Sequence, residues 1–153
     1  MRKKIGMMCY VFIMCLIMTG IVNAEKPWPK SVDEYINNTG KQVKAVDMKT
    51  FKEIYDKKEF DLIVDIREVG EYKAGHIPEA YNAPRGVLEF MIWSKLGYPD
   101  TNESEIKNKK IYLYCRIGLR AILAAKALKD MDFKNVVAVT MDYEQWEKEA
   151  GLP

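Results

Sequence analysis

Cys115 stands where a thiol can be made reactive. It follows the apolar run Ile111-Tyr112-Leu113-Tyr114, and a segment with helical periodicity begins at Leu119. A short apolar run of this kind is expected to form a buried central strand. Only Arg116, Ile117 and Gly118 separate the thiol from the helix. Gly118 can take backbone angles that other residues resist. Such a turn can point successive N–H groups inward, with a helix N-terminus behind them, and so cradle an anion. The same field favours the thiolate, which is the nucleophilic form of cysteine. Arg116 and Arg120 add positive charge. Arg116 alone would read as a solvated surface charge. Two arginines flanking a cysteine at a strand-to-helix turn point to a site that binds an anion and attacks it with sulfur.

Other residues invite chemical readings that are weaker. His76 is the only histidine, and a Cys plus a His suggests a protease-like pair. It lies in the turn Gly75-His76-Ile77, where a structural role is expected. Asp65 and Arg67 read as a salt bridge or turn lock, with Arg67 a supporting candidate if it faces the site. Arg85 is a second supporting candidate for anion binding, against a plain reading as a solvated loop charge. Trp93 and Trp146 read as core anchors. No metal is expected, because one His and one Cys beyond the N-terminal segment cannot make the usual zinc set.

These residues need elements to position them. Ser31 can cap a short helix over Val32 to Asn38 that ends near Gly40. Val43 to Val46 suggests a short strand. Thr50 to Lys57 carries Phe51, Ile54 and Tyr55 at helical spacing. Leu62-Ile63-Val64 reads as a buried strand, and Val69 to Lys73 as one or two helical turns before Gly75. Gly86 to Leu96 places Leu88, Met91, Ile92 and Leu96 on one side of a helix. Pro99 to Asn108 reads as polar loop. Ile111 to Tyr114 is a strong strand, and Leu119 to Met131 is the best helix. Val136 to Val139 is a further strand and Tyr143 to Ala150 a last helix. Strands alternating with helices predict an α/β domain around a mainly parallel sheet. Loops at the C-terminal ends of its strands then make the usual site.

The first 24 residues read differently. Arg2, Lys3 and Lys4 precede an apolar stretch from Ile5 to Val22, and Val22-Asn23-Ala24 offers a cleavage triplet. This is the pattern of a secretory signal cut after Ala24. The alternative is a retained N-terminal membrane anchor, since the stretch is near the minimum length for spanning. A lipoprotein is not favoured: Cys9 and Cys15 follow Met8 and Met14 rather than small residues. Cleavage removes three positive charges and takes the formal charge from +2 to −1. A near-neutral domain has no electrostatic case for nucleic acid or an anionic membrane surface. Cleavage also leaves Cys115 as the only cysteine, which rules out an internal disulfide. Residues 25–40 read as a linker and short helix, and residues 41–153 as one domain. Hydrophobic residues make up 48% of the chain, enough for a packed core.

The loop Cys115-Arg116-Ile117-Gly118-Leu119-Arg120 resembles the active-site loop of the rhodanese-like family. Two further stretches match. Asp65-Ile66-Arg67-Glu68, Glu71-Tyr72, Gly75-His76-Ile77-Pro78, Ala80, Asn82 and Pro84 resemble the first family signature. Trp146 with Ala150-Gly151-Leu152-Pro153 is similar to the closing helix. The resemblance spans about Val43 to Pro153. It implies a rhodanese-like three-layer α/β/α domain around a mainly parallel five-stranded sheet. It implies a sulfurtransferase in which Cys115 takes a sulfane sulfur from a small anionic donor such as thiosulfate. A thiol, cyanide or protein acceptor then receives that sulfur. Loop N–H groups from Arg116 through Ile117, Gly118 and Leu119 to Arg120 would hold the persulfide, and the arginines the donor. No cofactor is implied.

The chain departs from the family where Met141-Asp142 replaces the two glycines usual before the last helix. A side chain there could narrow the loop or add negative charge. Glu79 stands where Gly is frequent. Three other readings remain open. One is a non-catalytic rhodanese-fold sulfur carrier or partner-binding module. Another is a cysteine phosphatase or arsenate reductase, which uses five residues between Cys and Arg where this chain has four and then Ala121. The third is exported thiol redox chemistry, which would need an external resolving thiol.

Overall fold

The computed structural model describes residues 26–150. The signal-peptide reading, its cleavage site, Cys9, Cys15 and residues 151–153 of the closing motif lie outside them. In chain order the elements are α1 (Lys30–Gly40), β1 (Lys44–Asp47), α2 (Met48–Asp56), β2 (Leu62–Asp65), α3 (Val69–Ala74) and β3 (Tyr81–Asn82). There follow α4 (Leu88–Lys95), α5 (Glu103–Asn108), β4 (Lys110–Tyr114), α6 (Leu119–Asp130), β5 (Asn135–Thr140) and α7 (Tyr143–Ala150). The strands form one sheet in the order β1-β5-β4-β2-β3, and every pairing is parallel.

Side chains of a strand alternate between its two faces, and that alternation builds the three layers. Leu62, Val64, Ile111, Leu113, Val136 and Ala138 face one way. They pack on Leu88 and Ile92 of α4, Ile106 of α5, and Ala121, Ala124, Ala125 and Leu128 of α6. Ile63, Tyr114 and Val139 face the other way, onto Phe51 of α2 and Tyr143 and Trp146 of α7. The first interface is mostly aliphatic and the second aromatic, with the Phe51 and Trp146 ring centroids 5.4 Å apart. Trp146 is a buried anchor as read from the sequence, and Trp93 packs on Phe133 with centroids 5.2 Å apart.

Two local expectations need correction. Ser31 does not cap α1: Pro29 is the N-cap, with no side-chain hydrogen bond, and its carbonyl accepts from Val32 N–H at 3.0 Å. Proline has no N–H to leave unsatisfied, so the helix can begin directly after it. Residues 103–108 are not loop but α5. Asn102 caps this helix by accepting from Glu105 N–H at 3.0 Å, and Ile106 is its one buried residue. β3 completes the sheet with only two residues, paired to Val64 and Asp65. The short helix expected before the domain is α1, and it packs through its buried Ile36 and Thr39. Among the described residues, no helix is long and apolar enough to cross a membrane.

Candidate active site

Cys115 follows β4, the central strand, and is fully buried. α6 starts four residues later, as expected. Gly118 has φ +81°, and a Cβ there would lie 2.8 Å from the Thr140 Cα on β5. Both the angle and the contact with backbone therefore require glycine. The loop is fastened on both sides: Ile122 N–H donates to Gly118 O at 3.1 Å, and Tyr143 N–H of α7 donates to Arg116 O at 2.8 Å. Leu119 is partly buried and Ile117 is 51% exposed.

The residues that replace the usual glycines do not turn into the loop. Met141 is buried among Tyr114, Tyr143 and Trp146. Asp142 does bring a negative charge, and its carboxylate caps α7, accepting from Glu144 N–H at 2.9 Å. A cap of this kind stabilises a helix by about 1 kcal/mol.

Beside the loop lies a buried polar network. Arg67 Nη2 donates to Asp65 Oδ2 at 2.7 Å and to Gly75 O at 2.6 Å, and its Nε reaches both Asp65 oxygens at 3.0 Å. Tyr114 O–H donates to Asp65 Oδ2 at 2.7 Å and accepts from Ile77 N–H at 3.1 Å. Asn82 donates to the carbonyls of Asp65 and Arg67. Burial opposes the charge on Arg67, but Asp65 outweighs it and holds the guanidinium above its ordinary value. Burial, then Asp65, pushes the Tyr114 phenol far above its ordinary range, so it stays a proton donor. The turn lock read from Asp65 and Arg67 is thus present. The guanidinium also stacks 3.7 Å over the Tyr143 ring and faces a hollow of about 260 Å³ shared with Arg116, Glu71 and Glu147.

The remaining candidates separate. Arg120 is held by Glu71 of α3 through two bonds, 3.1 and 3.0 Å. Arg116 pairs with Glu144 of α7 at the surface. Arg85 is paired with Glu89 at 2.6 Å and is not among the residues lining the hollow. His76 is stacked on Tyr72 at 3.8 Å with Nδ1 3.0 Å from Tyr72 O, a local contact that fixes the turn. Among the described residues, no group of three His, Cys, Asp or Glu could hold a metal ion. Sequence reasoning missed Tyr114, Glu71 and Glu144 as parts of the site. Glu71 and Arg120 are 49 residues apart, so no local pattern could have paired them.

The chain belongs to the rhodanese-like domain family, whose model matches residues 47–149. A candidate sulfur carrier protein of Bacillus subtilis is 29% identical over 113 residues, covering 74% of this chain and 56% of that protein. A candidate mitochondrial thiosulfate sulfurtransferase of Schizosaccharomyces pombe is 29% identical over 90 residues, covering 56% and 62%. The chain thus spans little more than half the length of these relatives. Among solved structures, a Rhodopseudomonas palustris protein of unknown function, described as a possible tyrosine phosphatase, superposes with a TM-score of 0.65. It is 27% identical, with 84% of this chain and 97% of that one covered.

Proposed function

We propose that this protein is an exported sulfurtransferase that carries a sulfane sulfur on Cys115. Family membership and the sulfur-carrier and sulfurtransferase relatives support a role in sulfur transfer. The observation that carries the mechanism is Cys115 at the end of the central strand, on a loop that Gly118 turns into α6 and that Arg116 and Arg120 flank. The Cys115 thiolate attacks the outer sulfur of a donor such as thiosulfate. A new S–S bond forms, the donor's own S–S bond breaks, and its electron pair leaves with sulfite. Loop N–H groups from Arg116 to Arg120 stabilise the persulfide through fixed dipoles. A thiol, cyanide or protein acceptor then attacks the outer persulfide sulfur and returns the Cys115 thiolate. Two half-reactions through one covalent intermediate give ping-pong kinetics. Export rests on the N-terminal sequence pattern alone, and a retained anchor would place the same domain at a membrane surface.

The carrier reading is favoured by the Bacillus subtilis relative's name, and it shares the first half-reaction. The phosphatase reading draws on the description of the Rhodopseudomonas palustris protein. Against it stands the loop itself. Four residues separate Cys115 from Arg120, and the next position is the buried Ala121. A tetrahedral oxyanion needs a wider ring.

Intact-mass spectrometry after incubation with thiosulfate tests the proposal. The chain is expected to gain one sulfur, removable by cyanide, and Cys115→Ser to gain none. Transfer onward to small thiols separates an enzyme from a carrier. Absence of any gain with sulfane donors would overturn the sulfur reading.

A further inference from the structure

Both arginines that flank the thiol are answered by carboxylates from outside the loop, and the two pairs are unequal. Arg116 and Glu144 are 62% and 52% exposed, so water and salt screen them. Arg120 and Glu71 are only 37% and 34% exposed and meet as a fork, Nη1 to Oε2 and Nη2 to Oε1. Forked arginine–carboxylate bonds combine charge with fixed geometry. Arg120 closes the loop that Cys115 opens, at the start of α6, and Glu71 first, with Cys115 adding to it, holds its guanidinium above the ordinary value against burial. The Glu71 carboxylate occupies both terminal nitrogens of that guanidinium. A donor anion that approaches Cys115 meets an arginine that is already engaged.

We infer that Glu71 is a built-in competitor for the anionic end of the sulfur donor, holding Arg120 until an incoming anion displaces it. This rests on Cys115 and Arg120 forming the site proposed above. Glu71 then sets donor specificity without touching the reacting sulfur. The apparent affinity of any anionic reagent is reduced by the fraction of time Arg120 is free. A neutral reagent, which does not need Arg120, is not taxed in this way.

The test compares two alkylating reagents of nearly equal size, anionic iodoacetate and neutral iodoacetamide. Their rates at Cys115 are read by peptide mass spectrometry on the whole chain. Both reagents consume the thiolate, so their ratio cancels changes in ionisation and in burial. Glu71→Gln removes the charge and keeps an oxygen for the Glu68 N–H, which Glu71 Oε2 now accepts at 3.1 Å. The iodoacetate-to-iodoacetamide ratio is expected to rise about two- to threefold in Glu71→Gln, the scale of an ion pair this open to solvent. A smaller rise is expected in Glu71→Asp, which keeps the charge but is too short for the fork. No rise is expected from Glu71→Gln in an Arg120→Ala background. An unchanged ratio in Glu71→Gln overturns the inference. So does an equal rise in Glu34→Gln, which removes an exposed carboxylate from α1. Persulfide formation from thiosulfate is scored separately. If the ratio shifts and no persulfide forms in any variant, Glu71 is a competitor in a site that does not transfer sulfur.

Discussion

Of the carboxylate–arginine pairs at the Cys115 loop, Asp65–Arg67 and Glu71–Arg120 are built to different ends. Asp65 and Arg67 are two residues apart, at most 5% exposed, and satisfied by Tyr114, Asn82 and the Gly75 carbonyl. Glu71 and Arg120 come from separate helices, and each is about a third exposed. In the first pair both Asp65 oxygens and the Nε and Nη2 of Arg67 have partners in the interior. Neither charge can be released without leaving the other stranded in a low-dielectric interior. In the second pair, solvent or a ligand anion can take the carboxylate's place at little cost. Burial and completeness of hydrogen bonding thus separate a framework pair from an exchangeable one, although both join the same two kinds of side chain.

The sharpest way to break this contrast is to remove one cation from each pair. Arg67→Ala leaves Asp65 buried and uncompensated, so a loss of about 3–5 kcal/mol in unfolding free energy is expected. Urea denaturation measures it, with Arg120→Ala as the companion. The companion is expected to cost under about 1 kcal/mol of stability. In donor use it should show a loss of about 1.5–3 kcal/mol, as for a hydrogen bond to a charged group. Equal stability losses in the two variants would remove the distinction between framework and exchangeable pairs.

A second test asks whether the loop depends on its backbone as much as on its charges. Gly118→Ala forces a side chain onto φ +81° and a Cβ to within 2.8 Å of the Thr140 backbone. Strain of this kind is expected to cost about 1–3 kcal/mol. Thr140 has to shift to relieve the contact, so the loop should move with it. Thiosulfate-dependent persulfide formation should fall further than stability does. If Gly118→Ala forms persulfide at the parent rate, the N–H cradle is not what stabilises the sulfur.

What was legible in the sequence follows the range of the interactions. The strand-to-helix turn at Cys115 is written in consecutive residues: an apolar run, a thiol, a glycine and a periodic helix. Asp65 and Arg67 are two positions apart, and their pairing could be anticipated. β3 could not, because two residues cannot display a period of two. α5 was hidden because five of its six residues are not buried, leaving Ile106 as the only sign of a buried face. Glu71 and Glu144 reach the loop from α3 and α7 across 49 and 28 residues. Their roles depend on how the sheet brings those helices to one end, and composition and spacing carry no trace of that. Met141 and Asp142 show the same limit. Whether they point into the loop or away from it is decided by packing on Trp146 and by the cap of α7.

The smallest expected effect concerns the exchangeable pair under acid. Hydrogen bonds from Arg120 hold the Glu71 carboxyl below its ordinary value of 4.5, against burial and with help from the Glu68 N–H. A carboxyl lowered on folding contributes its full stabilisation above its unfolded value. That contribution disappears as pH falls from there through the folded value. Because the pair is a third exposed, solvent screening reduces it to roughly 0.5 kcal/mol. Urea midpoints of the parent and Glu71→Gln should therefore differ slightly at neutral pH, with the parent the more stable, and converge as pH drops below the ordinary glutamate range. A gap that stays constant into acid would mean that the difference comes from packing of the amide, not from the charge. Convergence would tie the small stability term to the same carboxylate that competes for Arg120. The pair would then be one that the fold can do without and a donor can open.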